Sequence, residues 1–195
     1  MRTRLLAGAL ALTAPLIAAA PVGAAVVKKK RLHVRVGRAV VVSGGAAPAS
    51  ATALQVWRHG GWRTLDRDRA GLRGRFVLRD RLRRPQSVSA RLIADGRARR
   101  LGRLKAFRAA SASWYGPGLY GNRLACGGRL TYGRLGVAHK TLPCGTRLTL
   151  RKGSRSVRVR VIDRGPYVAG REFDLTEATA RRLHFRGHGT ILSTR

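Results

Sequence analysis

Acidic residues are scarce in this chain of 195 residues, which has 8 Asp and Glu against 41 Lys and Arg. Half of the acids fall within one short stretch of the second half of the chain, as Asp163, Glu172, Asp174 and Glu177. Cysteine is nearly absent, and the two present, Cys126 and Cys144, have no histidine at metal-ligand spacing. This argues against the usual zinc motifs, and we expect no metal and no cofactor.

Long hydrophobic runs are also absent, with one exception at the start of the chain. The uncharged run from Leu5 to Ala25 follows Arg2 and Arg4 and ends in small residues, which is typical of a secretory signal peptide. The sequence therefore predicts export, with cleavage near Ala25 and a secreted or cell-envelope location. A retained membrane anchor is the alternative, which the prolines and alanines of the run disfavour.

The predicted compartment decides how the charge and the cysteines are interpreted. A net charge of +33 usually indicates a nucleic-acid partner. Outside the cell the polyanions are wall polymers and acidic lipids, so we expect anionic wall polymers and no nucleic acid. A coding bias toward arginine, which accounts for 35 of the 41 basic residues, explains the charge equally well. In the same oxidising compartment, Cys126 and Cys144 are expected to form a disulfide.

Period-two alternation of apolar residues dominates the first half of the mature chain. From Leu32 to about Arg108 it predicts several short antiparallel strands, and hence a small β-sandwich at residues 26–108. Trp57 and Trp62 flank a turn and have two interpretations, a sugar-stacking pair or packing across a hairpin, of which packing is favoured. The small residues 106–113 predict a linker.

The second half, residues 109–195, has stronger strand patterns. "TRLTLRKG" and "RSVRVRVIDRG" alternate strictly, "TEATARRLHF" is the one convincing helix, and "GTILSTR" predicts a last strand. The chain as a whole is therefore predicted to be all-β, with one short helix.

Four motifs of this second half occur in a recognisable order: "ASWYGPG", "AHKTLPCGT", "DRGP" and "DLT". Together they resemble the rare lipoprotein A family of septal-ring-associated lytic transglycosylases, over residues 113–194. The resemblance implies a six-stranded double-psi β-barrel. It also implies cleavage of peptidoglycan between N-acetylmuramic acid and N-acetylglucosamine, in which a 1,6-anhydro end forms and no water is added.

Carried over position by position, the family's essential histidine falls on His139 and its essential aspartate on Asp163. Asp163 ends an apolar strand, where desolvation raises the pKa of a carboxyl, so we expect it to act first as acid and then as base. The alternative is a purely local role in a turn. His139 is expected to support Asp163, and Asp174 has two interpretations, a substrate ligand or a helix cap.

Further candidates for substrate binding are three tyrosines at the expected rim, Tyr115, Tyr132 and Tyr167. Glu172 is expected to be exposed to solvent. The cysteine pair departs from many family members and looks more like the disulfide-bearing expansin relatives. This keeps a second function open, a non-catalytic expansin-like protein that binds or loosens wall polysaccharide. In both cases the expected partner is the peptidoglycan glycan strand, and the protein is expected to be a monomer.

Overall fold

The structure, a computed structural model, describes residues 25–195, and the predicted signal peptide lies outside this range apart from Ala25. Within it the chain forms thirteen strands and one helix: β1 Val26–Arg31, β2 His33–Arg35, β3 Ala39–Gly45, β4 Ala51–Arg58, β5 Gly61–Arg69, β6 Arg75–Arg81, β7 Gln86–Ala94, β8 Arg97–Tyr115, β9 Val137–His139, β10 Arg147–Lys152, β11 Arg155–Asp163, β12 Phe173–Thr176, α1 Glu177–Leu183 and β13 Gly189–Ser193. No helix in the described range has the length and apolar character to cross a membrane.

Two sheets share the first hydrophobic core. One has the strand order β1-β3-β6, and the other contains β2, the first part of β8, β7, β4 and β5. The core between them takes Leu54 and Val56 from β4 and Phe76 and Leu78 from β6, all at most 1% exposed. Because alternate residues of each strand are apolar, each sheet has one face to bury, and the two faces pack as in a small sandwich.

Two of the scarce acids join these sheets at an edge. Asp66 and Asp68 lie on β5, and their Oδ2 atoms accept hydrogen bonds from the backbone N–H groups of Arg79 (2.6 Å) and Val77 (2.8 Å) on β6. β5 and β6 are therefore connected by side chains instead of a backbone ladder. The free N–H groups of an edge strand are satisfied in this way.

The predicted linker at residues 106–113 is wrong, because these residues lie within the 19-residue strand β8. The first part of β8 pairs with β7 and the last part with β13 and β12. Ala106, Ala110 and Ala112 are buried, the first in one hydrophobic core and the other two in the next. Small side chains at these positions allow close packing, and the same composition is typical of a flexible linker, which explains the error.

Six strands of the second half close into a ring in the order β8-β13-β10-β11-β9-β12, with β12 pairing back onto β8. This confirms the six-stranded closed structure that the resemblance implied. The interior is filled by apolar residues that alternate along each strand, including Val159, Val161, Phe173, Leu175 and Ile191.

The helix α1 follows β12 without a loop. Thr176 caps it, since its hydroxyl accepts a hydrogen bond from the N–H of Thr179 (3.3 Å). Ala180 and Leu183 pack against the core of the ring, and His184 ends the helix in the left-handed conformation, at φ 50°. With Thr176 as the cap, Asp174 is left in the strand and has no part in capping.

Candidate active site

A row of side chains runs across four neighbouring strands of the ring. Asp163 at the end of β11 is in register with Ala138 on β9. Ala138 is in register with Asp174 on β12, and Asp174 is in register with Ser113 on β8. Paired residues of neighbouring strands point to the same side of a sheet. The two aspartates therefore share one face, separated by a single small residue.

This face is the one turned away from the interior of the ring. Val137 and Phe173, which alternate with members of the row, are 0% exposed and belong to the core. The segment from residue 116 to residue 136 covers part of the outer face. Leu124 and Leu130 of this segment form a small separate cluster with Ile162, and Tyr115 packs against it.

A β-bulge places Asp163 on the outer face. Val161 pairs with Val137 inside the ring, but the register shifts by one residue before Asp163 pairs with Ala138. Regular alternation from Val161 would have directed Asp163 into the apolar core. Ile162 is the extra residue of the bulge, and bulges re-aim side chains next to active sites in many proteins.

One carboxylate oxygen of Asp163 is fixed by the backbone. Its Oδ1 accepts hydrogen bonds from the N–H groups of Ala125 (2.8 Å) and Arg164 (2.9 Å). The other oxygen, Oδ2, has no hydrogen-bond partner in residues 25–195. The carboxyl is thus oriented by its surroundings while one of its oxygens stays available to a ligand.

The Ala125 donor is held in place by the disulfide between Cys126 and Cys144, whose Cα atoms are 5.5 Å apart. This confirms the predicted pairing. Arg164 secures the other side, since its guanidinium donates to the carbonyls of His139 (3.1 Å) and Leu142 (2.9 Å). The covering segment and the turn after β9 are therefore both tied to the strand end that carries Asp163.

Asp174 is half-buried and accepts a hydrogen bond from the Ser113 hydroxyl at 2.9 Å. Burial raises the pKa of its carboxyl above the ordinary value, and the nearby charge of Asp163 raises this pKa further. Ser113 and Arg171 lower this pKa, each by less than burial raises it but by more than Asp163 does. Burial is therefore the main reason that Asp174 holds a proton more readily than an exposed carboxyl.

Tyr115 lies beside both aspartates instead of at a rim. Its hydroxyl is buried and makes no hydrogen bond of normal geometry in the described part of the chain. Burial, followed by the charge of Asp163, raises the pKa of this phenol, so it remains a neutral donor. A buried polar group without a partner is uncommon, and the Asp163 carboxylate beside it is the acceptor within its reach.

His139 does not meet Asp163. Its Nδ1 accepts hydrogen bonds from the N–H groups of Thr141 (3.1 Å) and Leu142 (3.0 Å), and its Nε2 lies 3.8 Å from Glu172. The ring packs on Phe173 at a centroid distance of 5.0 Å, on the inner side of the strand. Burial lowers the pKa of His139, and Glu172 opposes this with a smaller effect.

Glu172 was expected at the surface, but it is partly buried and has two basic neighbours. Its carboxylate forms a two-bond ion pair with the Arg108 guanidinium, with one bond at 2.8 Å, and faces His139. Nothing in the local sequence indicates this contact, because Arg108 lies 64 residues away on β8. The ring topology brings the two together.

The remaining tyrosine candidates lie on the surface. Tyr167 is 83% exposed, and Tyr132 is 61% exposed with Arg181 stacked 3.6 Å from its ring centre. Tyr120 packs edge-on against Tyr132 at 6.1 Å. These rings are accessible to a sugar, whereas the hydroxyl of Tyr115 is buried.

A cationic cavity of about 610 Å³ adjoins the bulge. Its lining includes Ile162 and the arginines Arg134, Arg147, Arg158 and Arg160. Arg147 and Arg160 are directly paired across β10 and β11, an arrangement that costs energy unless an anion lies nearby. Residues 25–195 contain no group of three His, Cys, Asp or Glu side chains placed to hold a metal ion.

The fold and the site define a closed β domain with two aspartates on one face. Residues 108–192 match the sequence model of the family described as lytic transglycolase.

Parts of the chain are also similar to curated proteins. A probable endolytic peptidoglycan transglycosylase RlpA of Synechocystis is 40% identical over 126 residues, which are 57% of this chain and 39% of the relative. Proteins of the same name from Aquifex aeolicus (probable; 44% over 82 residues, 41% and 36%) and Campylobacter jejuni (42% over 81 residues, 40% and 30%) are also similar. The chain thus spans between 30% and 39% of the length of these relatives.

Proposed function

We propose that this protein is an exported lytic transglycosylase of the cell envelope. Its substrate is the glycan strand of peptidoglycan, which it cleaves between N-acetylmuramic acid and N-acetylglucosamine to leave 1,6-anhydro-N-acetylmuramic acid ends. The observation that carries this proposal is that Asp163 and Asp174 lie on one face of the matched domain, each in register with Ala138. Asp163 has one carboxylate oxygen without a hydrogen bond, and the pKa of Asp174 is raised. The names of the relatives support the same reaction.

In the proposed reaction Asp163 is the acid and then the base. Protonated Asp163 gives its proton to the bridging oxygen, the bond from that oxygen to C1 of the muramyl sugar breaks, and the next sugar leaves as an alcohol. The muramyl C6 hydroxyl then attacks C1 and returns a proton to Asp163. One carboxyl completes the cycle, and no water is consumed.

The neighbours of Asp163 support these two steps. Its fixed Oδ1 leaves Oδ2 to meet the bridging oxygen, so the proton is delivered from a defined position. Asp174, on the same face, has a pKa raised mainly by burial, so it is the neighbouring carboxyl that retains a proton more readily.

His139 has a positioning role in this proposal. It makes no contact with Asp163, but its carbonyl receives a hydrogen bond from Arg164, the residue that follows Asp163. The neutral ring also holds the backbone of the turn that contains Cys144. Loss of His139 is therefore expected to act through the geometry of this turn.

The wider proposal follows the predicted export. A disulfide and a chain with a net charge of +33 suit an extracytoplasmic protein that works on an anionic wall, as a monomer. We also propose a boundary between two domains near Arg108, and the position of this residue between the last residue of the first core and the first residue of the second supports it.

Digestion of purified peptidoglycan sacculi tests the function. The wild type is expected to release fragments with anhydromuramyl ends, identified by mass spectrometry. Asp163→Asn is expected to lower the rate about 100-fold or more, which is the usual contribution of general acid–base catalysis. Asp80→Asn, the same change in the first core's sheet, is the matched control and should retain the wild-type rate.

The other outcomes of this digest would overturn the proposal. Fragments with reducing ends would mean hydrolysis. Firm sedimentation with the sacculi and no soluble fragments would favour the expansin-like binding function instead.

A further inference from the structure

Two of the three tryptophans of the chain lie together, far along the chain from the catalytic residues. Trp57 on β4 and Trp62 on β5 are paired directly across a hairpin, with ring centres 5.5 Å apart and planes at 74°. The hairpin turns at His59 and Gly60, both with positive φ, as a tight two-residue turn requires. The predicted packing across a hairpin is confirmed.

The packing of the two rings against each other does not explain why the pair lies on the outer face of the sheet. Leu54 and Val56 alternate with Trp57 and fill the sandwich core, so the tryptophans point from the opposite, outer face of the sheet. Neither belongs to the buried core, and Trp57 is 45% exposed. Large aromatic rings exposed on a sheet face are a feature of binding sites.

The pair forms one wall of a cavity of about 420 Å³. The other walls come from β7 and β8, through Ser89, Ala90, Arg100, Gly102 and Arg103. This volume lies within the range of sites that take small ligands or short polymer segments. The cavity therefore offers flat apolar surface on one side and cationic donors on the other.

The surrounding side chains are held in place before any ligand arrives. The Arg91 guanidinium stacks over Trp62 at 4.1 Å, and its Nε donates to Gln55 at 2.9 Å. Arg103 donates through Nε to the Ser87 hydroxyl at 3.0 Å. Side chains that are already ordered lose little entropy on binding, so the affinity of such a site is higher than its area suggests.

The chemistry of the cavity fits a chain of amino sugars. The C–H faces of a pyranose ring pack on indole, while its hydroxyl, acetamido and carboxylate oxygens accept hydrogen bonds from guanidinium groups. We propose that Trp57, Trp62, Arg100 and Arg103 form a second glycan-binding site for peptidoglycan strands. The choice of this glycan rests on the proposed function, because aromatic and arginine side chains also bind single-stranded nucleic acid.

A second site on the same polymer changes how the catalytic domain meets its substrate. Once the cavity holds a strand, the Asp163 site encounters neighbouring sugars at a high effective concentration. The long strand β8 connects the two regions without a flexible linker. Occupancy of the cavity therefore brings the polymer close to the catalytic face.

Binding is measured apart from catalysis, on the mature chain with Asp163→Asn to prevent cleavage. The probes are purified peptide-free glycan strands, chitotetraose and a single-stranded oligothymidylate, each titrated by calorimetry. Trp57→Ala is expected to weaken strand binding at least tenfold, while Leu72→Ala, at an apolar residue that is 95% exposed elsewhere in this domain, should not change it. Trp57→Tyr, which keeps an aromatic ring in the hairpin, should bind with intermediate affinity.

Nuclear magnetic resonance of the Asp163→Asn protein, in which both tryptophans are kept, gives a second measurement. The indole N–H signals of Trp57 and Trp62 should shift on titration with strands, and the backbone N–H signal of exposed Leu72, elsewhere in this domain, should not. Equal binding by the Trp57 variants and unshifted indoles would overturn the proposal. So would Trp57-dependent binding of oligothymidylate without binding of either glycan. Neither result depends on whether the protein cleaves peptidoglycan.

Discussion

At the scale of single residues, Asp174 is held in a state that favours the proton. Its pKa is raised from 3.8, first by burial. A group whose pKa is higher in the folded than in the unfolded state stabilises the fold fully below the unfolded pKa. This contribution is lost as pH rises through the folded pKa. At neutral pH, Asp174 therefore costs stability, which is typical of a residue kept for function.

Asp174→Asn should make this cost visible. Asparagine does not titrate and can still accept the hydrogen bond from Ser113, so the variant's stability relative to the wild type should rise as pH increases above about 4. Activity should fall at the same time. Denaturant unfolding over a pH series measures the first effect, with Asp80→Asn as the matched control. A difference in unfolding free energy that does not change with pH would contradict the account.

His139 gives a second test at this scale. Glu172 raises its pKa and Arg108 lowers it, whereas Asp163 is not among its neighbours. We expect Glu172→Gln to lower the pKa of His139 and Asp163→Asn to leave it unchanged. Titration of the imidazole signals by nuclear magnetic resonance measures both. A clear downward shift in Asp163→Asn would mean that His139 interacts directly with Asp163 and would contradict the account.

At the scale of elements, the strict alternation of β10 and β11 was sufficient to predict both strands. The helix α1 and the strand β13 were also predicted correctly from their local patterns. Part of the strand β8 was predicted as a linker, because the alanines that fit it into two close-packed cores are also typical of linkers. The bulge at Ile162 has no signal in the sequence, since only the pairing with β9 defines it. Local patterns identify elements, but they do not identify which strands pair or where the register shifts.

The disulfide between Cys126 and Cys144 belongs to this scale because it joins two connecting segments. It closes a loop with a sequence separation of 18 residues, so replacing both cysteines with serine should cost about 3 kcal/mol of unfolding free energy. The change should also reduce activity, because the Ala125 N–H would no longer be held against Asp163. Denaturant unfolding and the sacculus digest measure the two effects. An oxidised and a reduced protein of equal stability would refute the assigned role.

At the scale of the whole molecule, the sequence motifs located the matched domain and both candidate aspartates. They could not establish that Asp163 and Asp174 share a face, because this depends on three strand pairings and one bulge. They gave no sign of the contact between His139 and Glu172, since it arises only when the ring closes and brings Arg108 alongside. Long-range topology decides these contacts.

The central claim is that the substrate's own hydroxyl, and not water, completes the reaction at Asp163. It is tested most directly by digesting sacculi in water enriched in oxygen-18 and weighing the new muramyl ends. The account predicts ends that carry no heavy oxygen and are lighter than a hydrolytic product by one water. Incorporation of oxygen-18 at the cleaved muramyl carbon would contradict it.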